Sequence, residues 1–175
     1  MQARWQFLFR VLQLQANKQQ GDIMAIDIID EKLLEVLQEN SRISISELSK
    51  KINLSLSAVS ERLKKLETSG IIEQYTAILN SAEMNKNIDA VIWISVDNVG
   101  NADFEKLINS EKDILYCARI AGEYDYILRV FTKDQKSLRV IIDKIKNLRT
   151  VRNVITSVVL DNIKLKYSVP PIATK

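Results

Sequence analysis

The sequence predicts an α+β protein in which an α-helical domain is followed by a mixed domain. Three observations predict this fold class. Between residues 24 and 70, apolar residues recur at helical spacing in three short segments that turn residues separate. From residue 90 onward, short runs rich in Val, Ile and Tyr alternate with helical periodicity in the order β-α-β-β-α-β. The polar stretch 81–89 lies between the two patterns and marks a domain boundary.

Composition excludes several classes of function. The chain has 175 residues, of which 46% are hydrophobic, and this is enough to bury a core. Cys117 is the single cysteine and there is no histidine, so multi-cysteine metal sites, histidine metal ligands and histidine-activated nucleophiles are excluded. No apolar run approaches the roughly 20 residues of a membrane span. We predict a cytoplasmic protein with no metal, no cofactor and no membrane contact, in which Cys117 is a small core side chain.

Residues 1–23 differ in character from the rest of the chain. Trp5, Leu8 and Leu12 share one face of a short amphipathic helix, but no small-residue cleavage site follows the apolar run. A signal peptide is therefore a poor interpretation. We expect an upstream extension or leader, with the domain architecture beginning at Met24.

A first helix is predicted to begin after Asp27. Asp27 is a good N-cap residue, and Ile29, Leu33 and Leu37 recur at the spacing of one helix face. Asn40 ends the periodic stretch. The apolar stripe predicts that this helix packs against the two that follow.

A second, shorter helix is predicted to begin after Ser44. Ser44 and Glu47 have the S-x-x-E spacing of a capping box, in which each side chain satisfies a backbone N–H of the first turn. Leu48 and Ile52 form a narrow apolar stripe. Residues 53–54 then connect this helix to the next, as a tight turn.

The third predicted helix has an unusually polar outer face. Ser55 is its N-cap residue, and Gly70 follows it as a natural C′ residue. The side that faces the core collects Leu56, Val59, Leu63 and Leu66. Two short helices joined by a tight turn, the second with an exposed polar face, are the layout of a helix-turn-helix DNA reader.

The chemistry of this outer face suits DNA. Small hydroxyl and apolar groups lie near the N-terminus of the helix, the part that enters the major groove, and lysines follow where phosphates would lie. The predicted DNA-binding residues are Ser55, Ser57, Ala58, Ser60, Glu61, Arg62, Lys64 and Lys65. The alternative is that they form the solvated face of an ordinary core helix. Residues 24–80 carry seven basic and nine acidic side chains, a net charge of −2, so DNA affinity must come from local placement and from avidity.

Residues 71–80 are β-prone, with Tyr75 and Thr76 at their centre. They predict a wing or a linking strand, so that the winged-type helical domain 24–70 is joined to the second domain by a strand and loop over 71–89. A strand between domains has unpaired edges, and a second copy of itself is its simplest partner.

The second domain, 90–167, contains six main elements in the sequence pattern. They are a strand at 90–96, a helix capped by Asn101, strands at 114–120 and 124–131 joined through Gly122 and Glu123, a helix capped by Asp134, and a strand at 154–160. This order is the ferredoxin-like split βαβ arrangement. A terminal strand over 163–167 is expected before the tail 168–175. Because helices cover only one face of such a sheet, the apolar strand 90–96 predicts a second subunit on the other.

Four passages together carry a resemblance to a known family. They are I-D-I-I-D-E-K-L-L-E-V-L-Q-E-N-S-R-I-S at 26–44, L-S-L-S-A-V-S-E-R-L-K-K-L-E-T-S-G-I-I at 54–72, A-G-E-Y-D-Y-I-L at 121–128 and I-T-S-V-V-L at 155–160. A helix-turn-helix segment followed at this distance by G-x-Y-D-Y resembles the Lrp/AsnC family, the feast/famine regulators of bacteria and archaea. The resemblance covers about residues 25–167.

The resemblance implies a sequence-specific transcription regulator of amino-acid metabolism whose second domain forms dimers, often assembled into octameric rings. It also implies an amino-acid effector bound between dimers, near Gly122, Glu123, Tyr124, Asp125 and Ser157. In physical terms, the Asp125 carboxylate can accept from an α-ammonium group, and backbone N–H groups beside Gly122 can bind a carboxylate. Without the family, Gly122 simply makes a hairpin turn that Asp125 caps. The chain departs from many members in having Leu56 instead of proline, and from some in having the smaller Ser157.

Two other functions compete with this interpretation. An enzyme built on the second domain would have to use Glu123, Asp125 and a lysine without histidine, and no spacing singles out a catalytic pair. An effector-binding assembly protein that no longer reads DNA is slightly favoured by the net charge of residues 24–80.

Overall fold

The computed structural model describes residues 25–174, which divide into two compact units. One unit contains residues 25–77 together with 165–174, and the other contains residues 78–164. The C-terminal stretch therefore belongs to the same unit as the N-terminal helices. The expected leader, 1–23, lies outside the described residues.

The described part of the first unit contains three α-helices. They are α1 (Ile28–Glu39), α2 (Ile45–Ile52) and α3 (Leu56–Thr68). Leu33, Leu48, Val59 and Leu66 are buried and belong to one apolar core cluster. The three predicted helices are confirmed.

Side chains predicted as caps hold the starts of the first two helices. The Asp27 Oδ1 atom accepts from the backbone N–H groups of Ile29 and Asp30 at 2.9 and 2.8 Å. The Ser44 hydroxyl accepts from the N–H of Glu47, and the Glu47 carboxylate accepts from the N–H of Ser44, each at 3.2 Å. Both helix starts thus satisfy N–H groups that have no partner within the helix.

The structure differs from three expectations, one in α3 and two in segments that extend into the second unit. Leu56, predicted to face the core, is 54% exposed because it occupies the first position of α3, and burial on that face begins only at Val59. Residues 71–80 and 163–167, both predicted to be strands, form neither helix nor strand. A β-prone segment becomes a strand only when a neighbour supplies the ladder of hydrogen bonds, and no described segment of this chain does so at either place.

The second unit is a four-stranded antiparallel sheet with two helices. Its elements in chain order are β1 (Ile88–Val96), α4 (Ala102–Ser110), β2 (Ile114–Arg119), β3 (Tyr126–Thr132), α5 (Gln135–Lys146) and β4 (Val151–Val158). The strands lie in the order β2-β3-β1-β4, which is the split βαβ arrangement. The predicted β-α-β-β-α-β order is confirmed, although β4 begins at Val151 instead of residue 154.

One face of this sheet is covered within the chain. Alternate residues of β1 and β3 point to this face and pack with α4 and α5 in a single core, which includes Ala90, Ile92, Ile94, Leu128, Val130, Phe104 and Ile141. Cys117, predicted to be a core residue, is exposed. It lies on β2, an edge strand, so it sits at the rim of this core.

The other face of the sheet carries an apolar row that crosses all four strands. The pairing register aligns Ala118 of β2, Ile127 of β3, Trp93 of β1 and Ile155 of β4. Within one chain this row is only partly covered, and the side chain at its end, Ile155, is 42% exposed.

Among the described helices, none is long and apolar enough to cross a membrane.

Candidate DNA and effector sites

A tight turn joins α2 to α3. Asn53 adopts the left-handed conformation at φ 56° and ψ 49°, which asparagine tolerates better than most residues. The Leu54 N–H donates to the Ser49 carbonyl at 3.0 Å, and the Ser49 hydroxyl donates to the Leu54 carbonyl at 2.8 Å. These reciprocal bonds fix the direction in which the chain enters α3, as a helix-turn-helix requires.

The N-terminal part of α3 presents hydroxyl groups to solvent. Ser55 caps the helix by accepting from the N–H of Ala58 at 3.2 Å, and its hydroxyl lies 3.1 Å from that of Ser57. The Ser60 hydroxyl donates to the Leu56 carbonyl at 2.9 Å and keeps its lone pairs for an outside donor. Ser57 and Ser60 are exposed, and Ala58 is half-buried beside them.

The next turns of α3 carry its charges. Glu61, Lys64 and Lys65 are exposed, so they lie on the same solvent-facing side as the serines. The structure therefore brings together seven of the eight residues predicted to bind DNA. They are Ser55, Ser57, Ala58, Ser60, Glu61, Lys64 and Lys65.

Arg62 is the residue that the structure separates from this group. Its Nη1 atom donates to Asp27 Oδ2 and to Asp30 Oδ1, each at 2.7 Å. The pKa of Asp27 is held below its usual range by the backbone N–H of Asp30 and also by Arg62, against the opposing effect of desolvation. The two carboxylates in turn raise the pKa of Arg62. The guanidinium of Arg62 is thus bound to the start of α1, and its side chain is half-buried instead of exposed like those of Lys64 and Lys65.

The C-terminal stretch joins the helical unit through hydrogen bonds that sequence analysis missed. The Thr174 N–H donates to the Ile26 carbonyl at 2.8 Å, and the Thr174 hydroxyl accepts from the Ile26 N–H at 3.0 Å. Gln38 of α1 donates to the Val169 carbonyl at 2.6 Å. No local pattern in 168–175 signals such pairing, because its partners lie well over one hundred residues earlier in the chain.

The predicted effector loop is tied to the end of β1 through Asp125. The Asp125 N–H donates to the Ile94 carbonyl, and Asp125 Oδ2 accepts from the Val96 N–H, both at 2.9 Å. Arg152 Nη2 lies 3.8 Å from the same carboxylate oxygen, and Arg152 Nε lies 3.2 Å from Asp97 Oδ1. Two carboxylates and a guanidinium therefore gather where β1 and β4 meet the loop.

Glycine at position 122 is not required by the conformation of the single chain. Gly122 is exposed and does not have the left-handed φ found at Gly70 and Gly100, and a Cβ at position 122 would meet no atom within 4 Å outside its two chain neighbours. Glu123 is exposed and Tyr124 is half-buried. The absence of a side chain at 122 thus has no explanation in the packing of the described residues.

The register of the sheet does not bring Ser157 to this loop. Ser157 is paired with Val91, whereas Asp125 bonds to Ile94 on the opposite edge of β1. At about 3.3 Å of rise per residue and about 4.8 Å between strands, the two residues are separated by roughly 14 Å. Within one chain, Ser157 and the loop therefore belong to different places on the sheet.

A groove of about 320 Å³ lies on the second unit, away from the predicted effector residues. It runs along the edge strand β2 and the end of α4, and its lining consists of Ile108, Asn109, Glu111, Lys112, Ile114, Leu115, Tyr116 and Cys117.

Comparison with known proteins identifies both units. Residues 26–73 match the model of a winged helix-turn-helix DNA-binding family, and residues 89–169 match that of the Lrp/AsnC ligand binding domain. The Bacillus subtilis transcriptional regulator LrpC is 32% identical over 82% of this chain and 97% of its own length. The proline dehydrogenase transcriptional activator of Rhizobium radiobacter is 34% identical, with 79% and 92% covered.

A solved structure agrees with these matches. The transcriptional regulator of Neisseria meningitidis in complex with L-Met superimposes with a TM-score of 0.79 and 35% sequence identity, over 83% of this chain and 96% of that one. The DNA-binding and the ligand-binding family matches lie side by side in the chain, and the alignments to relatives above 30% identity cover nearly the whole length of those relatives. The predicted resemblance is therefore confirmed, and the enzyme alternative is excluded. The chain belongs to the Lrp/AsnC family of DNA-binding transcriptional regulators with an amino-acid effector domain.

Proposed function

We propose that this chain binds specific double-stranded DNA through α3, acts in the cytoplasm on genes of amino-acid metabolism, and changes its DNA binding when an amino acid occupies its second domain. The observation that carries the proposal is the exposed face of α3, where Ser57 and Ser60 precede Lys64 and Lys65. This order matches a helix whose N-terminal end reads bases while its later turns approach phosphates.

The DNA step depends on few charges. The region 24–80 has a net charge of −2, and Arg62 is paired with two carboxylates. Lys64 and Lys65 are therefore the positively charged side chains of α3 that face outward. Since each phosphate neutralised adds only a modest gain, one copy of this unit binds DNA weakly. Tight binding then requires two or more copies on the same DNA.

The second unit supplies that multiplicity in the proposal. The row formed by Trp93, Ile127, Ile155 and Ala118 is an apolar band on the sheet face opposite the helices. A second copy of the same face would bury it, which is the isologous contact of a homodimer. Dimers then associate further, with an octamer as the expected assembly.

The effector step places an amino acid at loop 121–125, between dimers. The Asp125 carboxylate can accept from an α-ammonium group, and the exposed loop around Gly122 leaves room for a ligand or a neighbouring subunit. The class of ligand is supported by the relative that was solved with L-Met. Ser157 would take part only if another subunit brings its own β4 to the loop.

A second candidate function is an effector-binding assembly protein with no specific DNA binding. The net charge of −2 over residues 24–80 favours it. The two functions differ in one measurable property, because contacts to phosphate make binding fall steeply with salt.

The deciding experiment is a mobility-shift titration with DNA from upstream of the gene, at two salt concentrations, with and without a pool of the twenty amino acids. We expect a specific shift that weakens with salt and that the pool alters. A shift equal to that of random DNA of the same length would reject the DNA-reading function in favour of the assembly protein. A specific shift unaffected by the pool would reject only the effector step.

A further inference from the structure

We propose that Arg62 is a positioning residue that locks α3 to the start of α1 and so sets how the reading helix enters the groove, instead of neutralising a DNA phosphate. This inference rests on the proposed DNA binding. It gives Arg62 a role other than the DNA contact predicted from its position on α3. It also gives the carboxylates of Asp27 and Asp30 a function beyond the capping of α1.

The two ion pairs from Arg62 to Asp27 and Asp30, called the lock below, have a specific geometry. One guanidinium nitrogen, Arg62 Nη1, lies 2.7 Å from Asp27 Oδ2 and 2.7 Å from Asp30 Oδ1. The remaining oxygens are also used: Asp27 Oδ1 caps α1, and Asp30 Oδ2 accepts from the Asp27 N–H at 3.3 Å. The two carboxylates thus hold the first turn of α1 and the middle of α3 at the same time.

Burial distinguishes this arrangement from a surface ion pair. The side chain of Asp30 is only 6% exposed and that of Arg62 is 29% exposed. A surface pair contributes little, but removal of one partner from a buried pair leaves a charge without compensation. If Arg62 turned toward a phosphate, Asp30 would become such a charge.

The position of Arg62 on α3 leads to the same conclusion. Arg62 follows Val59 by three residues and precedes Leu66 by four, and both of these side chains are fully buried. Residues at these spacings lie on one face of a helix. The stem of Arg62 therefore runs along the buried flank, while Lys64 is exposed on the other side.

A lock of this kind affects sequence reading more than general affinity. Hydrogen bonds to base edges fail when a helix shifts by a fraction of an ångström or turns by a few degrees, whereas a flexible lysine can follow a displaced phosphate. Loss of the lock should therefore lower the preference for the specific site and leave the salt dependence of binding unchanged.

The test uses the full chain with the variants Arg62→Gln, Asp30→Asn, their double variant, and Lys64→Gln as a matched control on the same helix. Asp27→Asn is a milder variant, because asparagine still caps α1 while the charge is lost. Binding to the upstream DNA and to random DNA of equal length is measured over a range of salt concentrations, together with thermal unfolding.

We expect Lys64→Gln to weaken both DNAs alike and to reduce the slope of log affinity against log salt by about 0.9, one phosphate contact. Arg62→Gln should keep the wild-type slope but lower the ratio of specific to random binding by about tenfold, the loss expected when about one base contact is no longer aligned. Asp27→Asn and Asp30→Asn should lower the same ratio. The double variant should lose no more than the worse of its two single variants, in binding and in melting temperature.

The inference is overturned if Arg62→Gln reduces the salt slope as Lys64→Gln does, or if Asp27→Asn and Asp30→Asn leave the specificity ratio unchanged. Failure of the proposed function gives a different result, since the wild-type chain itself would then show no preference for the upstream DNA. In that case a positioning role in DNA reading is rejected. The melting temperatures of Arg62→Gln, Asp30→Asn and their double variant then test the ion pair by itself. Losses of melting temperature that are not additive support the pair, and additive losses reject it.

Discussion

The two functional regions of this chain differ in how much of each is assembled within a single copy. The proposed DNA-reading face comes from one helix, α3, and the turn before it is fixed by Ser49, Asn53 and Leu54 of the same chain. The proposed effector residues come from loop 121–125 and from β4, and the sheet register keeps Ser157 away from the loop. The proposed DNA-reading face is therefore formed by local packing within one chain, whereas the proposed effector site would require a second copy to bring its own Ser157 to the loop.

The largest expected effect comes from breaking assembly. Trp93→Asp places a charge in the middle of the apolar row on the open sheet face, where two copies would have to bury it. We expect the variant to become a monomer by light scattering and to lose about 100-fold or more in DNA affinity, since avidity is lost. The control is Val140→Asp, on the exposed side of α5. An assembly of unchanged mass in Trp93→Asp would show that the open face is not the interface.

The next effect separates the two regions. Asp125→Ala removes the carboxylate proposed to accept from the ligand's ammonium group, and with it the bond to the Val96 N–H. We expect the amino-acid response of DNA binding to disappear while binding without amino acids is kept. Asp97→Ala is the matched control, because Asp97 is also paired with Arg152 but is not part of the proposed site. A retained response in Asp125→Ala would move the effector site elsewhere.

A smaller effect divides the DNA-reading face itself. Lys64→Ala should weaken binding to all sequences alike, because a phosphate contact carries no sequence information. Ser57→Ala and Ser60→Ala should each cost about three- to tenfold on the specific site only, the value of one hydrogen bond. Competition between upstream and random DNA measures the difference. Equal losses on both DNAs for the serine variants would mean that the assigned groove face is wrong.

The smallest effect concerns the segment that follows the helices. The pKa of Tyr75 is raised to about 12, mainly because the side chain is partly desolvated and secondly because its hydroxyl donates a hydrogen bond to Glu67. A tyrosine whose pKa is higher in the folded protein adds stability that is complete below its unfolded value, about 10, and is lost as the pH rises through about 12. Absorbance titration of wild type and Glu67→Gln should show one tyrosine that ionises earlier in the variant. Identical titrations would mean that Tyr75 is not held to α3 by this bond.

Much of the helical unit follows from neighbouring residues alone. Asp27 and Ser44 cap helices because their side chains reach N–H groups two or three residues ahead, so the residue types and spacing suffice to predict them. The apolar run 90–96 likewise predicts the strand β1 from neighbouring residues, although burial alternates only as far as Ile94 and the last two residues, Ser95 and Val96, are both buried. Leu56 was misassigned because helical periodicity does not reveal where along α3 the neighbouring helices end.

The strand expected at 71–80 shows a different limit. Its composition is β-prone, but a strand forms only when a second strand pairs with it. Within the described residues no strand pairs with this segment through backbone hydrogen bonds. Likewise, the exposed position of Cys117 follows from the strand order, which makes β2 an edge. Neither result is contained in the local pattern of residues.

The sequence by itself determined the type and order of the elements, the caps that start them and the family to which the chain belongs, because these depend on residues a few positions apart. Only the tertiary structure decided that Arg62 meets Asp27, 35 residues away, that Thr174 meets Ile26 across 148 residues, and that Ser157 and Asp125 stay apart. The physical reason is that such meetings depend on where packing places distant segments of the chain, and short-range periodicity carries no record of that placement.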